Sequence, residues 1–193
     1  MKKVFALFLL CMAAALAAAP AGAQAVEAAR GRQLSVTAGA MASGFDPRYA
    51  TNYWLFGAGT YVDVHFTHWV QLEGEARWLR FNSYYGENQS NYLIGPRVPI
   101  KDFGKFKTYG KALVGLAQMT FPTGDYFSTG RFTALAFGGT VDYRLNRRWS
   151  IRAADFEYQY WPKFIPQNPS VTNSPSTNLQ PFGVSVGVGY RVF

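Results

Sequence analysis

From Gln33 to the end of the chain, apolar and polar residues change places at almost every step, and no helical periodicity competes with this period of two. The alternation falls into eight runs, near 33–43, 53–65, 69–82, 90–99, 107–120, 131–144, 149–162 and 180–193. Val, Thr, Tyr and Phe dominate them, as pleated strands prefer. The connections alternate in length: residues 44–52, 83–89, 121–130 and 163–179 are long and polar, whereas 66–68, 100–106 and 145–148 are short. This predicts an antiparallel meander with long loops at one end and tight turns at the other. With an even number of strands, both ends of the barrel lie on the turn side.

The two faces differ in kind. Strand two sets Trp54, Phe56, Ala58, Thr60, Val62, Val64 and Phe66 against Leu55, Gly57, Gly59, Tyr61, Asp63 and His65. Strand three sets Leu72, Gly74, Ala76 and Trp78 against Gln71, Glu73, Glu75 and Arg77. Strand six sets Leu135, Phe137 and Val141 against Ala134, Ala136, Gly138, Thr140, Asp142 and Arg144, and strand eight sets Val184, Val186 and Val188 against Gly183, Ser185, Gly187 and Gly189. Alternation by itself fits a soluble barrel as well as a membrane barrel. Small residues and charges of both signs on one face suit the crowded interior of a narrow barrel. On a water-facing exterior the same glycines would pack nothing. The pattern therefore predicts bulky apolar side chains outside, against lipid, and ionic ones inside. The predicted lumen network is Asp63, Glu73, Glu75, Arg77, Arg97, Lys111, Asp142, Arg144, Arg152 and Glu157, with Gly115 also inside. On strand seven, Trp149, Ile151 and Ala153 share one parity and Phe156, Tyr158 and Tyr160 the other. A one-residue bulge near Ala153-Ala154 restores a common outer face.

Aromatic residues gather at the strand ends, where rings with one wet edge collect at membrane interfaces. At the loop end stand Tyr53, Trp54, Trp78, Tyr92, Phe132, Tyr158, Tyr160, Trp161 and Phe182; at the turn end stand Phe66, Trp69, Tyr143, Trp149, Tyr190 and Phe193. Trp54, Phe66, Trp78, Trp149 and Tyr160 are the expected interface anchors. Trp54 and Phe66 are 12 steps apart. At ~3.3 Å per step and ~45° of tilt they are separated by roughly 28 Å of height, near the ~25 Å apolar band of such barrels.

Composition narrows the picture. The chain is 49% hydrophobic and 16% charged, yet beyond the first residues no apolar run is long enough for a spanning helix. Met1-Lys2-Lys3, the Ala/Leu-rich stretch 4–19 and Ala23-Gln24-Ala25 read as a signal peptide over residues 1–25, followed by a barrel domain over 26–193. The rival, a membrane anchor, is too short and is broken by Pro20. Cys11, the one cysteine, leaves with the leader, so the mature chain is expected to carry no disulfide or thiolate metal site. The net charge of +8 is not clustered into a nucleic-acid motif.

The run from Val141-Asp142-Tyr143-Arg144 through Trp149-Ser150-Ile151-Arg152 and the ending Gly187-Val188-Gly189-Tyr190-Arg191-Val192-Phe193 resemble the penultimate hairpin and last strand of small outer-membrane barrels. That group contains the membrane domain of outer-membrane protein A and the opacity-type porins. The resemblance covers the whole mature chain. It implies an all-β, closed, antiparallel eight-stranded barrel in the bacterial outer membrane, with both mature termini periplasmic. It also implies contact with outer-membrane lipids and lipopolysaccharide, and reading of Phe193 and Tyr190 by the barrel-assembly machinery. The family's aromatic stands two residues before the end, whereas Tyr190 stands three before.

Three functions compete. The inward charges form either a paired plug or a water path, and an eight-stranded interior is just wide enough for side chains to fill. A non-enzymatic barrel serving envelope integrity, or surface interaction with a ligand through its loops, is therefore expected ahead of a narrow porin-like channel. A lipid A-modifying enzyme needs a base near a nucleophile. The only histidines, His65 and His68, fall at the turn end beside Asp63 and Thr67, with no accompanying His-x-Ser pattern. No catalytic residue, cofactor, metal or nucleic-acid partner is expected.

Overall fold

Each alternating run folds as a strand, because only pairing with a neighbour satisfies its backbone once one face is apolar. A computed structural model describes residues 34–48, 53–83, 86–123, 126–164 and 177–192. The strands are β1 (Ser35–Asp46), β2 (Leu55–His65), β3 (Gln71–Phe81), β4 (Asn88–Phe103), β5 (Phe106–Thr123), β6 (Tyr126–Arg144), β7 (Trp149–Phe164), β8 (Thr177–Leu179) and β9 (Phe182–Arg191). Consecutive strands from β1 to β7 pair antiparallel, β7 pairs with β9, and β9 returns to β1. The three-residue β8 continues the line of β9 along β7. The result is a closed eight-stave ring, and closure leaves no unpaired edge where lipid can offer no hydrogen bonds. The expected leader, residues 1–25, lies outside the described residues, as does Phe193.

Two predicted connections need correction. The turn after β4 is only Gly104-Lys105, because Phe103 pairs with Phe106. Gly104 has φ +65°, the conformation for which a two-residue hairpin selects glycine. The predicted long loop 121–130 is mostly strand: β5 and β6 pair up to Thr123 and Tyr126. This ribbon outruns its neighbours, since β4 stops at Asn88 opposite Thr120 and the β6–β7 ladder stops at Leu135 opposite Tyr160.

The barrel is oily outside and ionic inside. Val186 is 55% exposed, whereas Arg77, Arg97 and Arg152 are each at most 1% exposed. Phe56, Leu72, Ile94, Leu116, Phe137, Phe156, Val184 and Val188 share the outer face. On β7 the parity break is resolved by a bulge. Val141 pairs with Ala154 and Asp142 with Arg152, which leaves Ala153 unpaired. Arg152 and Asp155, three residues apart, are therefore both buried inside.

Glycine makes room for one of the inward rings at the turn-side half. A Cβ on Gly39 would lie 2.3 Å from Tyr61 Cζ, and one on Gly189 would lie 2.6 Å from the Tyr61 hydroxyl. The ring crosses these two bare positions, and the Arg152 guanidinium stacks on it at 3.6 Å. Gly39→Ala is expected to lower stability by about 1–3 kcal/mol through overpacking. Urea titration of the refolded barrel measures this, and an unchanged midpoint would show that Tyr61 has another place to go.

Candidate functional site

The lumen holds the densest chemistry in the molecule. Strand parity delivers it: every second residue of β2, β3, β4, β5, β6 and β7 points to the axis. Toward the turn side, Arg97 Nη1 donates to Asp63 Oδ2 at 2.9 Å and Arg97 Nη2 donates to Asp142 Oδ2 at 2.6 Å. Its guanidinium lies 3.6 Å over the Tyr109 ring, and its Nε is 3.1 Å from Glu73 Oε2. Arg152 contributes from the opposite wall, with Nη1 2.8 Å from Glu73 Oε1 and Nη2 2.9 Å from Asp63 Oδ2. Asp63 is thus clasped by two arginines 34 and 89 residues away in sequence.

One layer higher, the Lys111 ammonium is a hub. Nζ is 2.9 Å from Asp155, 2.9 Å from Glu157, 3.1 Å from Glu75 and 3.6 Å from Glu73. The carboxylates of Glu73, Glu75 and Asp155 offer oxygens within 4.8 Å of one another, a spacing that would suit a cation, and the ammonium stands among them. Arg77 closes the layer. Its Nη1 donates to Glu157 Oε1 at 2.9 Å and its Nη2 to Glu75 Oε2 at 3.0 Å, while Phe45 lies 4.4 Å under its guanidinium. From there a chain of donors climbs β7: Trp161 Nε1 donates to Gln159 Oε1 at 2.8 Å, and Gln159 Nε2 donates to Glu157 Oε1 at 2.6 Å.

Above the ions apolar side chains join buried amides such as Gln89 and Asn91. Leu93, Leu113, Ala117, Met119, Ala134, Ala136, Trp161 and Leu179 form one buried cluster, and Phe45, Leu55 and Leu79 a second, with Phe132 and Tyr53 packed against them. Phe132 and Trp161 stack with centroids 5.9 Å apart. Both were expected at the membrane interface from their position near strand ends. Parity with Gln159 and Ala134 carries them inside instead.

All the predicted lumen charges except Arg144 meet in this network. Arg144 has the inward parity but is exposed at the turn-side rim, because the barrel ends there. It lines a recess with Lys105, Lys107 and Arg191, and among the described residues it joins none of the lumen ion pairs. Asp155 was not among the predicted charges. The signal was present, since a bulge at Ala153 puts residues 155, 157 and 159 on one inward row. Glu87 is a second addition. It continues the inward row of Gln89 and Asn91 just before β4 and is 1% exposed, with no hydrogen-bond partner for either oxygen among the described residues. Burial pushes its carboxyl up to about 8. The folded chain therefore keeps this proton between roughly pH 4.5 and 8, where the unfolded chain has lost it. Stability from this group is full below pH 4.5 and declines as pH rises toward 8. Glu87→Gln is expected to flatten that part of the stability–pH curve. Denaturation midpoints at pH 5 and pH 9 check this, and parallel curves for both proteins would refute it.

Of the expected interface anchors, Phe66, Trp78 and Trp149 are exposed, and Trp54 and Tyr160 half-buried. Several are braced by neighbours: Trp78 Nε1 donates to the Tyr92 hydroxyl at 3.0 Å, Trp149 meets Tyr190 edge-on at 5.0 Å, and Trp54 meets Phe182 edge-on at 5.4 Å. Among the described residues, the two groups expected beside the histidines are engaged elsewhere. Asp63 is held by the arginines, and Thr67 Oγ1 is bound to the backbone of Val70.

Comparison with known proteins places this geometry. The family model described as outer membrane protein beta-barrel domain matches residues 11–191. The structure is similar to that of Neisserial surface protein A, with 12% identity, a TM-score of 0.53, and coverage of 81% of this chain and 96% of that one. It is also similar to the N-terminal β-barrel domain of OprF from Pseudomonas aeruginosa, with 13% identity, a TM-score of 0.52, and coverage of 82% and 99%. No curated protein matches the sequence.

Proposed function

The chain belongs to the outer membrane β-barrel domain family, and from that premise we propose that it is a non-enzymatic barrel with a sealed lumen, serving envelope integrity and presenting its loops to the surroundings. The observation that carries this reading is the filling of the lumen. Four cations and six carboxylates interlock across it, and apolar side chains together with buried Gln89, Asn91 and Gln159 occupy the loop-side half. Ions held this way cannot easily swing aside, because each guanidinium has partners on two or more strands. A permeating solute would have to displace both the ionic layers and the stack of Phe132 on Trp161.

In this reading the turn end faces the periplasm, the β5–β6 ribbon and the long loops face outward, and the strand end at Tyr190 and Phe193 is what the assembly machinery meets. The apolar outer face contacts acyl chains, and the loop-side aromatics meet the lipopolysaccharide layer. The narrow channel remains the competing function. Reconstitution in a planar bilayer separates the two. The sealed barrel is expected to show no steady conductance above the lipid background, whereas discrete openings that change with Arg77→Ala would establish the channel.

A further inference from the structure

The cationic side chains are unevenly placed on the barrel. The β4–β5 hairpin carries Lys101, Lys105 and Lys107, the β6–β7 turn carries Arg144, Arg147 and Arg148, and β9 ends in Arg191. These three segments adjoin: Arg144 N donates to Lys105 O at 2.9 Å, and Arg191 N donates to Arg148 O at 2.7 Å. The cations therefore form one continuous arc of the turn-side rim. The only exposed carboxylate on this arc, among the described residues, is Asp102, which is already bound to Lys107 at 2.8 Å. Asp142, further in, faces Arg97. Among the described residues, the rest of the rim, Leu34 before β1 and Phe66 to Val70 between β2 and β3, carries no Lys, Arg, Asp or Glu. Of the loop-side cations, Arg48 pairs with Asp46 and Arg80 binds Asn88 and Ser90, whereas Arg131 and Lys163 stand exposed on β6 and β7.

Apolar groups fix the arc at a lipid surface. Ile100, Phe103, Phe106, Leu145 and Trp149 are exposed alongside it. Lys101 Nζ lies 4.9 Å over the Phe103 ring, and Arg148 Nη1 donates to the Tyr190 hydroxyl at 3.2 Å. Rings of this kind sit at headgroup depth, so the ammonium and guanidinium groups tethered to them are held at the level of lipid phosphates. Uncompensated positive charge at that depth attracts anionic headgroups.

We propose that this arc is a docking surface for anionic phospholipid headgroups of the periplasmic leaflet, which the barrel gathers on the β4–β9 side of its turn end. The proposal rests on the orientation given above. The leaflet on that side is phospholipid, and its anionic members are the ligands of matching charge. The assignment differs from general lipid contact because it predicts selectivity by headgroup and by position around the ring.

Native mass spectrometry of the full barrel, released from detergent with equal phosphatidylglycerol and phosphatidylethanolamine, tests it. The unaltered protein is expected to retain phosphatidylglycerol at least about fivefold more, the scale of one or two interfacial cations. Lys105→Gln/Arg144→Gln/Arg148→Gln is expected to abolish the preference while keeping the heat-dependent gel mobility of a folded barrel. Arg48→Gln/Arg131→Gln, at the loop end, is expected to keep it. Equal retention by the unaltered protein, an undiminished preference in the triple variant, or displacement of the lipid by millimolar inorganic phosphate would each overturn the site. Orientation is read separately by labelling Lys105→Cys in cells with a membrane-impermeant maleimide. Labelling only after the outer membrane is opened supports the periplasmic placement. Labelling in intact cells overturns that placement and the leaflet assignment, even where selectivity in detergent persists.

Discussion

Lys111→Met is expected to lower the stability of the folded barrel by about 3–5 kcal/mol, the range for removing one partner from a buried ionic cluster. The ammonium touches carboxylates from β3 and β7 at once. Methionine keeps the volume but leaves Glu73, Glu75, Asp155 and Glu157 with only the arginines to balance them. Replacing the excess acids should return part of the loss, so Lys111→Met/Glu75→Gln/Glu157→Gln is expected to be more stable than the single variant. Equilibrium urea unfolding from lipid vesicles, followed by tryptophan fluorescence, measures all three proteins. A single-variant loss below about 1 kcal/mol, the worth of a solvated surface pair, would mean that water reaches the hub and that the lumen is not sealed.

Val186→Arg is expected to cost about 2–4 kcal/mol in the same vesicles, the penalty for an arginine on the lipid face near the bilayer midplane. Val186 lies halfway along β9, opposite Ala42 in β1, and is 55% exposed. Val192→Arg, just past the end of β9, is expected to cost no more than about 1 kcal/mol because its side chain reaches the interface. The contrast between the two positions is the test. Equal costs, or a stabilising Val186→Arg, would contradict a lipid-facing outer surface.

The architecture was legible because lipid imposes a strict rule on one face. Leu72, Gly74, Ala76 and Trp78 alternate with Gln71, Glu73, Glu75 and Arg77 without exception, and the β7 bulge announced itself as a change of parity between Ala153 and Phe156. The rule ends where the membrane ends. Beyond Thr120 and Thr129 the residues no longer alternate between apolar and polar, and they read as a loop although the backbone pairing continues. The same limit explains Arg144, whose parity is right but whose height is not. Trp161 and Phe132 were misplaced for a different reason. An aromatic ring near a strand end suits either the interface or an apolar plug, and only parity decides. The partners of each charge were not legible, because pairs such as Asp63 with Arg152 depend on strand tilt and stagger across the ring.

The seam of this ring joins the first strand to the last: β1 pairs with β2 along one edge and with β9 along the other. The first strand of the ring therefore keeps one edge of its amides unanswered until the last strand has formed. No stable partial ring is available in the meantime, since an open sheet edge is untenable in lipid and tends to join other chains in water. Ring closure and burial in lipid are thus coupled, because neither is stable without the other. Losing β9 would bare the edges of both β1 and β7, and so undo the ring and not merely one stave of it.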